Sequence, residues 1–391
     1  MQSAVVFALA CKPSSDSNGM VESMPNVSIG VIGAGLIGRK HVKKIIEHPD
    51  FDLAGIADIE RDAVSAQYPD IPVFKDYKSL LGEARPQAVI IASPNQSHAA
   101  IGIECARRGI DMLIEKPVTD TLESAAALLL EVRASNVRTL VGHHRRHHDQ
   151  VRTLRRLLGE GLIGNLVGVS AIWATYKPAD YFRVAPWRTQ PGGGPILINL
   201  IHEIDFLRYT AGEILGVSAI SSSRQRQFSV EDTVGALLEF DAGCIGSFFA
   251  SDSAVSPWTT EQGVGESVEF PFSGESSYRF VGSRGSLEFP NLVHWSQAHG
   301  GQNWNEPIRS RRLLASFIDP YRAQLDHFRD VVRGTAESLL TVEDGARTLI
   351  ATLAVTEAAI SGNRIDLRDR YEALAAGEFP PSQPSSSRVS I

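Results

Sequence analysis

Residues 27–42 read VSIGVIGAGLIGRKHV, an apolar run that breaks at Gly33-Ala34-Gly35-Leu36-Ile37-Gly38 and resumes as an amphipathic stretch. The run predicts a buried strand, and the G-x-G-x-x-G that follows it opens a helix. Each glycine has its own physical duty. Gly33 permits the tight turn, Gly35 leaves the backbone open to a pyrophosphate, and Gly38 lets the helix lie close on the strand. Leu36 and Ile37 start the helix, whose N-terminal amides and dipole favour a phosphate. The next apolar run, FDLAGIAD, ends at Asp58, close to where a ribose-binding acid belongs. A carboxylate there accepts from ribose hydroxyls and repels a 2′-phosphate, so the pattern favours NAD over NADP. Arg61 is the nearest base a phosphate could use. If it meets no ribose, Asp58 reads as a helix N-cap.

From Asn26 to Gly142 short apolar runs alternate with amphipathic stretches, the pattern of strand–helix–strand units and a parallel sheet. Strands are predicted at Val27–Ile32, Asp52–Ala57, Val73–Phe74, Ala88–Ala92, Asp111–Ile114 and Arg138–Val141. One helix is expected over Asn95–Arg108, and another after Thr119 with Asp120 and Glu123 as a capping box. Beyond His148, strand-like segments at Leu166–Thr175, Thr233–Phe240, Cys244–Ala250 and Tyr278–Val281 follow one another without helices between them. Asp241-Ala242-Gly243 is a hairpin turn. Helices at Tyr321–Val332 and Val342–Ser361 precede a last strand at Arg364–Leu367. The expected fold class is α/β. A doubly wound Rossmann domain covers residues 26–145, and an α+β domain with a mostly antiparallel sheet covers residues 146–370. Residues 1–25 read as a disordered leader, and residues 371–391, ending PPSQPSSSRVSI, as a disordered tail.

Composition agrees with two ordinary globular domains: 391 residues, 43% hydrophobic and 21% charged. A net charge of -7, with no block of like charge, offers no footprint for nucleic acid or an anionic membrane, so a small molecule is the expected partner. Cys11, Cys105 and Cys244 are few, odd in number and far apart, which suits a reducing, cytoplasmic setting. Ala4–Ala10 is short for the apolar core of a secretion signal and has no basic residue before it.

Doubly wound sheets bind ligands at the carboxyl ends of their strands. Ser93-Pro94-Asn95 with His98 follows the fourth strand, and Glu115-Lys116-Pro117 follows the fifth. A lysine there reaches the nicotinamide, and the proline restrains it. Later, Gly192-Gly193-Gly194-Pro195 leads into a helix expected over Ile196–Tyr209. Asn199, His202 and Glu203 interrupt its apolar surface as a narrow polar stripe. Burying them requires a partner or ligand opposite. The loop before it gathers Lys177, Tyr181, Arg183, Trp187 and Arg188 as a candidate substrate wall. The run GHHRRHHDQ holds His143, His144, His147 and His148, with no acid or cysteine nearby beyond Asp149. It reads as interdomain packing, with a metal site as the weaker alternative.

Together GAGLIG, ASPNQSH, EKP, the WR pair and the glycine-led helix ending HEID resemble the Gfo/Idh/MocA family over about Val27 to Leu367. The resemblance implies NAD or NADP in a Rossmann domain and the oxidation or reduction of a carbinol or carbonyl on a sugar, polyol or related ring. The cofactor side would comprise the glycine loop, Asp58, the Ser93–His98 segment, Glu115 and Lys116. The substrate side would comprise Lys116, Trp187, Arg188, Asn199 and His202. In that family the lysine matching Lys116 contacts the reacting hydroxyl, the peptide before its proline is commonly cis, and the histidine matching His202 is the general acid/base. Many members have an aspartate four residues before that histidine, where this chain has Ile198. Lys116 and His202 are then left to carry the acid–base work. Asp205 reads as a helix-face salt-bridge partner. Hydride transfer needs no metal, and none is expected. The resemblance also implies a homo-oligomer. Two rivals stay open: a non-catalytic NAD-binding regulator and an NAD-dependent glycosidase.

Overall fold

The computed structural model describes residues 24–266, 270–300, 303–316 and 318–379. Most of the expected leader lies outside the described residues. The first sheet holds β1 (Val27–Ile32), β2 (Phe51–Ala57), β3 (Val73–Phe74), β4 (Ala88–Ile91), β5 (Asp111–Ile114) and β6 (Thr139–Val141). Their order is β3-β2-β1-β4-β5-β6 and every pairing is parallel. A strand buried on both faces must be apolar at successive positions. Accordingly Val89, Ile90 and Ile91 of β4 are fully buried, as are Met112, Leu113 and Ile114 of β5. The strand order reverses between β1 and β4, which sets the glycine loop opposite the segment that starts at Ser93.

The second sheet holds β7 (Leu166–Ala174), β8 (Ile214–Ser222), β9 (Thr233–Phe240), β10 (Ile245–Ser251), β11 (Tyr278–Gly282), β12 (Ser286–Phe289), β13 (Val293–Gln297), β14 (Ile308–Arg312) and β15 (Ile365–Asp366). Its order is β14-β13-β12-β11-β7-β10-β9-β8-β15. Only β7 and β10 pair in parallel, so the sheet is mostly antiparallel. Along β9, Val234, Ala236, Leu238 and Phe240 are buried and alternate with more exposed positions. Alternation of this kind marks a sheet covered on one face. The helices Ile201–Ala211 and Val342–Ser361 pack together on the covered side, the latter directly against β8. Gly243, at φ +80°, closes the expected turn between β9 and β10.

Several expectations need correction. Helices do lie between the strand segments beyond His148, at Ala179–Val184 and Thr260–Val264 besides the glycine-led one, and Asp149–Gly159 precedes them all. Thr260–Val264 is a single turn capped by the Thr259 side chain, too short for a periodic signal. β14 has no buried residue, hence no alternation to read. The helix after Thr119 is capped by Thr121, whose hydroxyl accepts from the Ser124 amide, while Asp120 accepts from the Ser124 hydroxyl. The glycine-led helix begins with a wide π-helical turn over Ile196–Leu200 before the α-helix Ile201–Ala211. The expected disordered tail starts too early. Arg368–Ala376 is a helix, with Tyr371 buried and its hydroxyl donating to the Ile214 carbonyl at 2.9 Å. Tyr371 and Leu374 lie on one helical face, and both are buried. The Pro- and Ser-rich remainder lies outside the described residues.

Candidate active site

The glycine loop is shaped by close backbone approach. Gly33 has φ +94°, and a Cβ there would stand 2.6 Å from the Ser93 amide nitrogen. A Cβ on Gly38 would run into the Gly33 carbonyl oxygen, whereas one on Gly35 would meet nothing within 4 Å. The open side of the loop is therefore at Gly35. No side chain caps the helix Leu36–Ile46, and Leu36 is 87% exposed at its start. Uncapped first-turn amides beside an open glycine suit a pyrophosphate. Asp58 accepts from the Ala34 amide at 2.6 Å and from the Glu60 amide at 2.8 Å, which fixes its carboxylate beside the loop. The next helix starts at Arg61 with Glu60, not Asp58, in the N-cap position. Arg61 donates to the Val73 carbonyl, so it is engaged away from the loop. These residues fit a dinucleotide whose ribose meets a carboxylate.

The rim segments are tied to one another. His98 is buried, and its two ring nitrogens lie 3.0 Å from the Pro117 carbonyl oxygen and 2.8 Å from that of Ser93. The Ser93 and Ser97 hydroxyls are bonded at 2.7 Å, just as Pro94 and Asn95 enter the helix Asn95–Arg107. The Lys116–Pro117 peptide is cis, as the resemblance implied. Glu115 is held by His41 Nε2 at 2.7 Å, from the helix that begins in the glycine loop. Burial alone would raise the Glu115 carboxyl, but His41 and Lys116 outweigh it and lower it. Burial lowers the Lys116 ammonium, with Arg145 adding to the effect and Glu115 and Glu261 opposing it.

Two cavities meet at Lys116. One, of about 300 Å³, is lined by Ile37 of the glycine loop together with Ser93, Lys116, His144, His202 and Tyr321. The other, of about 280 Å³, shares Asn95 and Lys116 with the first and is walled by Trp187, Gly192, Leu197 and Ile198. In the first cavity His202 Nδ1 is buried with no hydrogen-bond partner. Burial, then Lys116, Arg145, His144 and His143, push this imidazole well below its ordinary pKa, so it rests neutral. His144 is bonded through Nε2 to Glu266 at 2.5 Å. Its ring stacks on Tyr321 at 4.4 Å and stands edge-on to His202 at 5.7 Å.

Beneath the cavities lies a buried polar layer. Arg145 bonds Glu203 and Glu261, each at 2.5 Å, and Glu261 also accepts from the Trp173 indole. Burial pushes the Glu203 carboxyl up to about 7 against the pull of Arg145. Glu266 moves the other way: burial would raise it, but His144 and Arg145 hold it well below the usual range. Arg146 grips Asp205 through two nitrogens and reaches Asp344 at 2.5 Å. Asp205 is thus a salt-bridge partner and does not orient His202. Asn199 accepts from Lys177 Nζ at 2.6 Å. Burial pushes that ammonium down to about 8, and its nearest carboxylate, Asp252 at 3.8 Å, is bound more closely by Arg226 at 2.7 Å. The polar stripe of the helix is therefore divided: Asn199 faces Lys177, Glu203 faces Arg145, and His202 is left for the cavity. Trp187 is 57% exposed on the second cavity. Arg188 stacks over the Tyr181 ring at 3.8 Å and donates to the Tyr181 carbonyl.

Among the described residues no group of three or more His, Cys, Asp or Glu side chains could hold a metal ion. Sequence reasoning missed His41, Tyr321 and Glu266, and it named His144 without placing it in the cavity. His41 had a usable signal, three positions past Gly38 on a helix whose start is known. Glu266 and Tyr321 had none, since only tertiary packing brings them here.

Comparison with known proteins agrees with this layout. A model described as the oxidoreductase family with an NAD-binding Rossmann fold matches residues 27–143, and the GFO/IDH/MocA C-terminal domain matches residues 151–288. The chain is 25% identical over 343 residues to 1,5-anhydro-D-fructose reductase of Ensifer adhaerens, covering 86% of this chain and 98% of that protein. It is 29% identical over 346 residues to the rhizopine catabolism protein MocA of Rhizobium meliloti, covering 85% and 95%. A solved levoglucosan dehydrogenase, in complex with NADH and levoglucosan, superposes with a TM-score of 0.72 at 19% identity, covering 88% of this chain and all of that one, a likeness of fold. With both of its characteristic domains matched in order, the chain belongs to the Gfo/Idh/MocA family of NAD-binding oxidoreductases.

Proposed function

We propose that this oxidoreductase transfers a hydride between NAD and the carbinol or carbonyl carbon of a sugar, polyol or related cyclic hydroxy compound. The observation that carries the reading is the shared cavity, in which Ile37 of the glycine loop faces Lys116 and His202. When bound, NAD supplies the two-electron acceptor. The glycine loop and the first turn of its helix hold the phosphates, and Asp58 holds the ribose. Lys116 polarises the reacting oxygen electrostatically. His202, neutral at rest, is the acid–base group that the family resemblance names for that oxygen. Trp187 and the Gly192–Ile198 segment wall the ring of the substrate. The relatives named as acting on anhydrofructose and levoglucosan point to the same substrate class.

Assembly and setting belong to the same proposal. On the uncovered face of the second sheet, Ile220, Leu237, Ile245, Phe249 and Val281 are exposed, and strand register puts them on one side. An apolar face of this kind suits a second copy of the chain. Cys105 and Cys244 are free and buried, in keeping with a reducing cytoplasm. No helix among the described residues is long and apolar enough to cross a membrane.

Titration with NADH and NADPH, followed by a sugar and polyol panel read at the nicotinamide absorbance, tests the reading. Tighter NADH binding with turnover of any panel compound is the expected result. Binding without turnover would favour a regulator, and sugar release without net NADH would favour a glycosidase.

A further inference from the structure

We propose that His144, backed by Glu266, is a second catalytic residue of the Lys116 cavity and the group that receives the hydroxyl proton. His144 lines the same cavity as Lys116 and His202. Its Nε2 is committed to Glu266 at 2.5 Å. A carboxylate only accepts, so Nε2 carries the hydrogen and Nδ1 is left as a proton acceptor. Tyr321, stacked on the ring, fixes its plane. An imidazole with a carboxylate behind it gains a proton with the new charge already compensated, the arrangement that serves general bases in hydrolytic triads. His202 lacks such support: its Nδ1 has no partner, and Ile198 stands one turn before it.

The division of labour follows. Lys116 and His202 hold the oxygen, and the hydroxyl proton moves to His144 Nδ1, which takes over the proton transfer that the family resemblance gives to His202. The carbinol C–H electron pair leaves as hydride to the cofactor, and the C–O bond becomes a carbonyl. In the reverse direction His144 returns the proton. This inference rests on the dehydrogenase reading for the hydride, and on the fold alone for the imidazole–carboxylate pair.

The test compares full-length wild type with His144→Ala and Glu266→Gln, using NAD and the fastest compound of the panel. The expected result for His144→Ala is a kcat lowered about 100-fold, with KM and NADH affinity little changed and activity partly restored by added imidazole. Glu266→Gln lowers kcat about tenfold, since it removes the compensating charge and keeps the side chain's shape. It also carries the test if His144→Ala does not fold. In ¹⁵N spectra of histidine-labelled protein, the ring resonances lost in His144→Ala should show the proton on Nε2. A kcat within about twofold of wild type in both variants, or a proton on Nδ1, would overturn the proposal. If NADH binds and nothing on the panel reacts, the dehydrogenase reading fails and the catalytic role of His144 falls with it, whereas turnover retained by both variants overturns this proposal alone.

Discussion

The loop at Gly33–Gly38 and the lead-in at Gly192–Gly194 are both glycine-rich turns that open a helix, yet their surroundings differ in kind. Around the first, the close contacts are backbone atoms of the loop itself and of the end of the adjacent strand. Around the second, the polar groups of the helix are held by partners far along the chain. Glu203 is bound by Arg145, and Asp205 by Arg146, which also reaches Asp344, 198 residues away. A Cβ on Gly194 would collide with the Glu231 carboxylate, itself bonded to the Ile196 amide. The cofactor half is thus built from local backbone shape and the substrate half from long-range charge pairing. Loop shape can be written in a short motif, whereas charge pairing exists only once the fold is complete.

Lys116 belongs to both halves, since it lines both cavities, and its loss should have the largest effect. Lys116→Ala is expected to lower kcat by about 10²–10⁴-fold, with a much smaller loss of NADH affinity in a fluorescence titration. Retained turnover would remove the lysine from the chemistry and leave the two halves without a shared element.

Arg145→Met separates the halves more sharply. It would leave Glu203 and Glu261 buried without their cation, at a cost of about 3–5 kcal/mol. Urea unfolding should show this loss, whereas a result within about 1 kcal/mol of wild type would mean the charge layer contributes little.

Lys177 offers a pH test of the same layer. Its ammonium titrates near 8 in the fold, below its ordinary 10.5, because of burial. Below pH 8 both folded and unfolded chains carry the charge, and the fold bears the full cost of burying it. Between those two values the unfolded chain binds more protons, so this residue's contribution to stability rises with pH. Relative to Lys177→Met, wild type should gain about 2 kcal/mol of unfolding free energy between pH 8 and 10. Equal slopes would place the lysine in contact with water.

The contrast also explains what could be read in advance. Strands buried on both faces, such as β4 and β5, are legible because an unbroken apolar run admits few alternatives. The glycine motif is legible because its backbone duties require glycine. Lys116 and His202 were legible through family resemblance, whose motifs the structure brings to one cavity. The bond that Asn199 accepts from Lys177 was not legible, because that lysine lies 22 residues earlier in a loop with no periodic pattern. His144 read only as interdomain packing, with metal the weaker alternative, because four histidines crowd one run. The structure sends them to different neighbours: His144 to Glu266 and His147 against the His327 ring. No property of the run itself records those destinations.

The smallest expected effect falls on the cofactor half, where Asp58 braces the loop and is the residue proposed to meet the ribose. Its two oxygens accept from the Ala34 and Glu60 amides. Asp58→Asn keeps one acceptor but turns an NH₂ toward an amide that already donates, so one bond is lost and the negative charge disappears. A single charge-assisted hydrogen bond is worth about 1.5–3 kcal/mol, and part of that is recovered from water. NADH affinity should therefore fall about tenfold. NADPH should lose less, because the charge that repels its 2′-phosphate is gone, and the ratio of the two affinities is the decisive quantity. A ratio shifted toward NADPH assigns Asp58 to the ribose. Equal losses for both cofactors would reduce it to a loop brace, and even the half built from local shape would then owe its cofactor preference to residues no motif names.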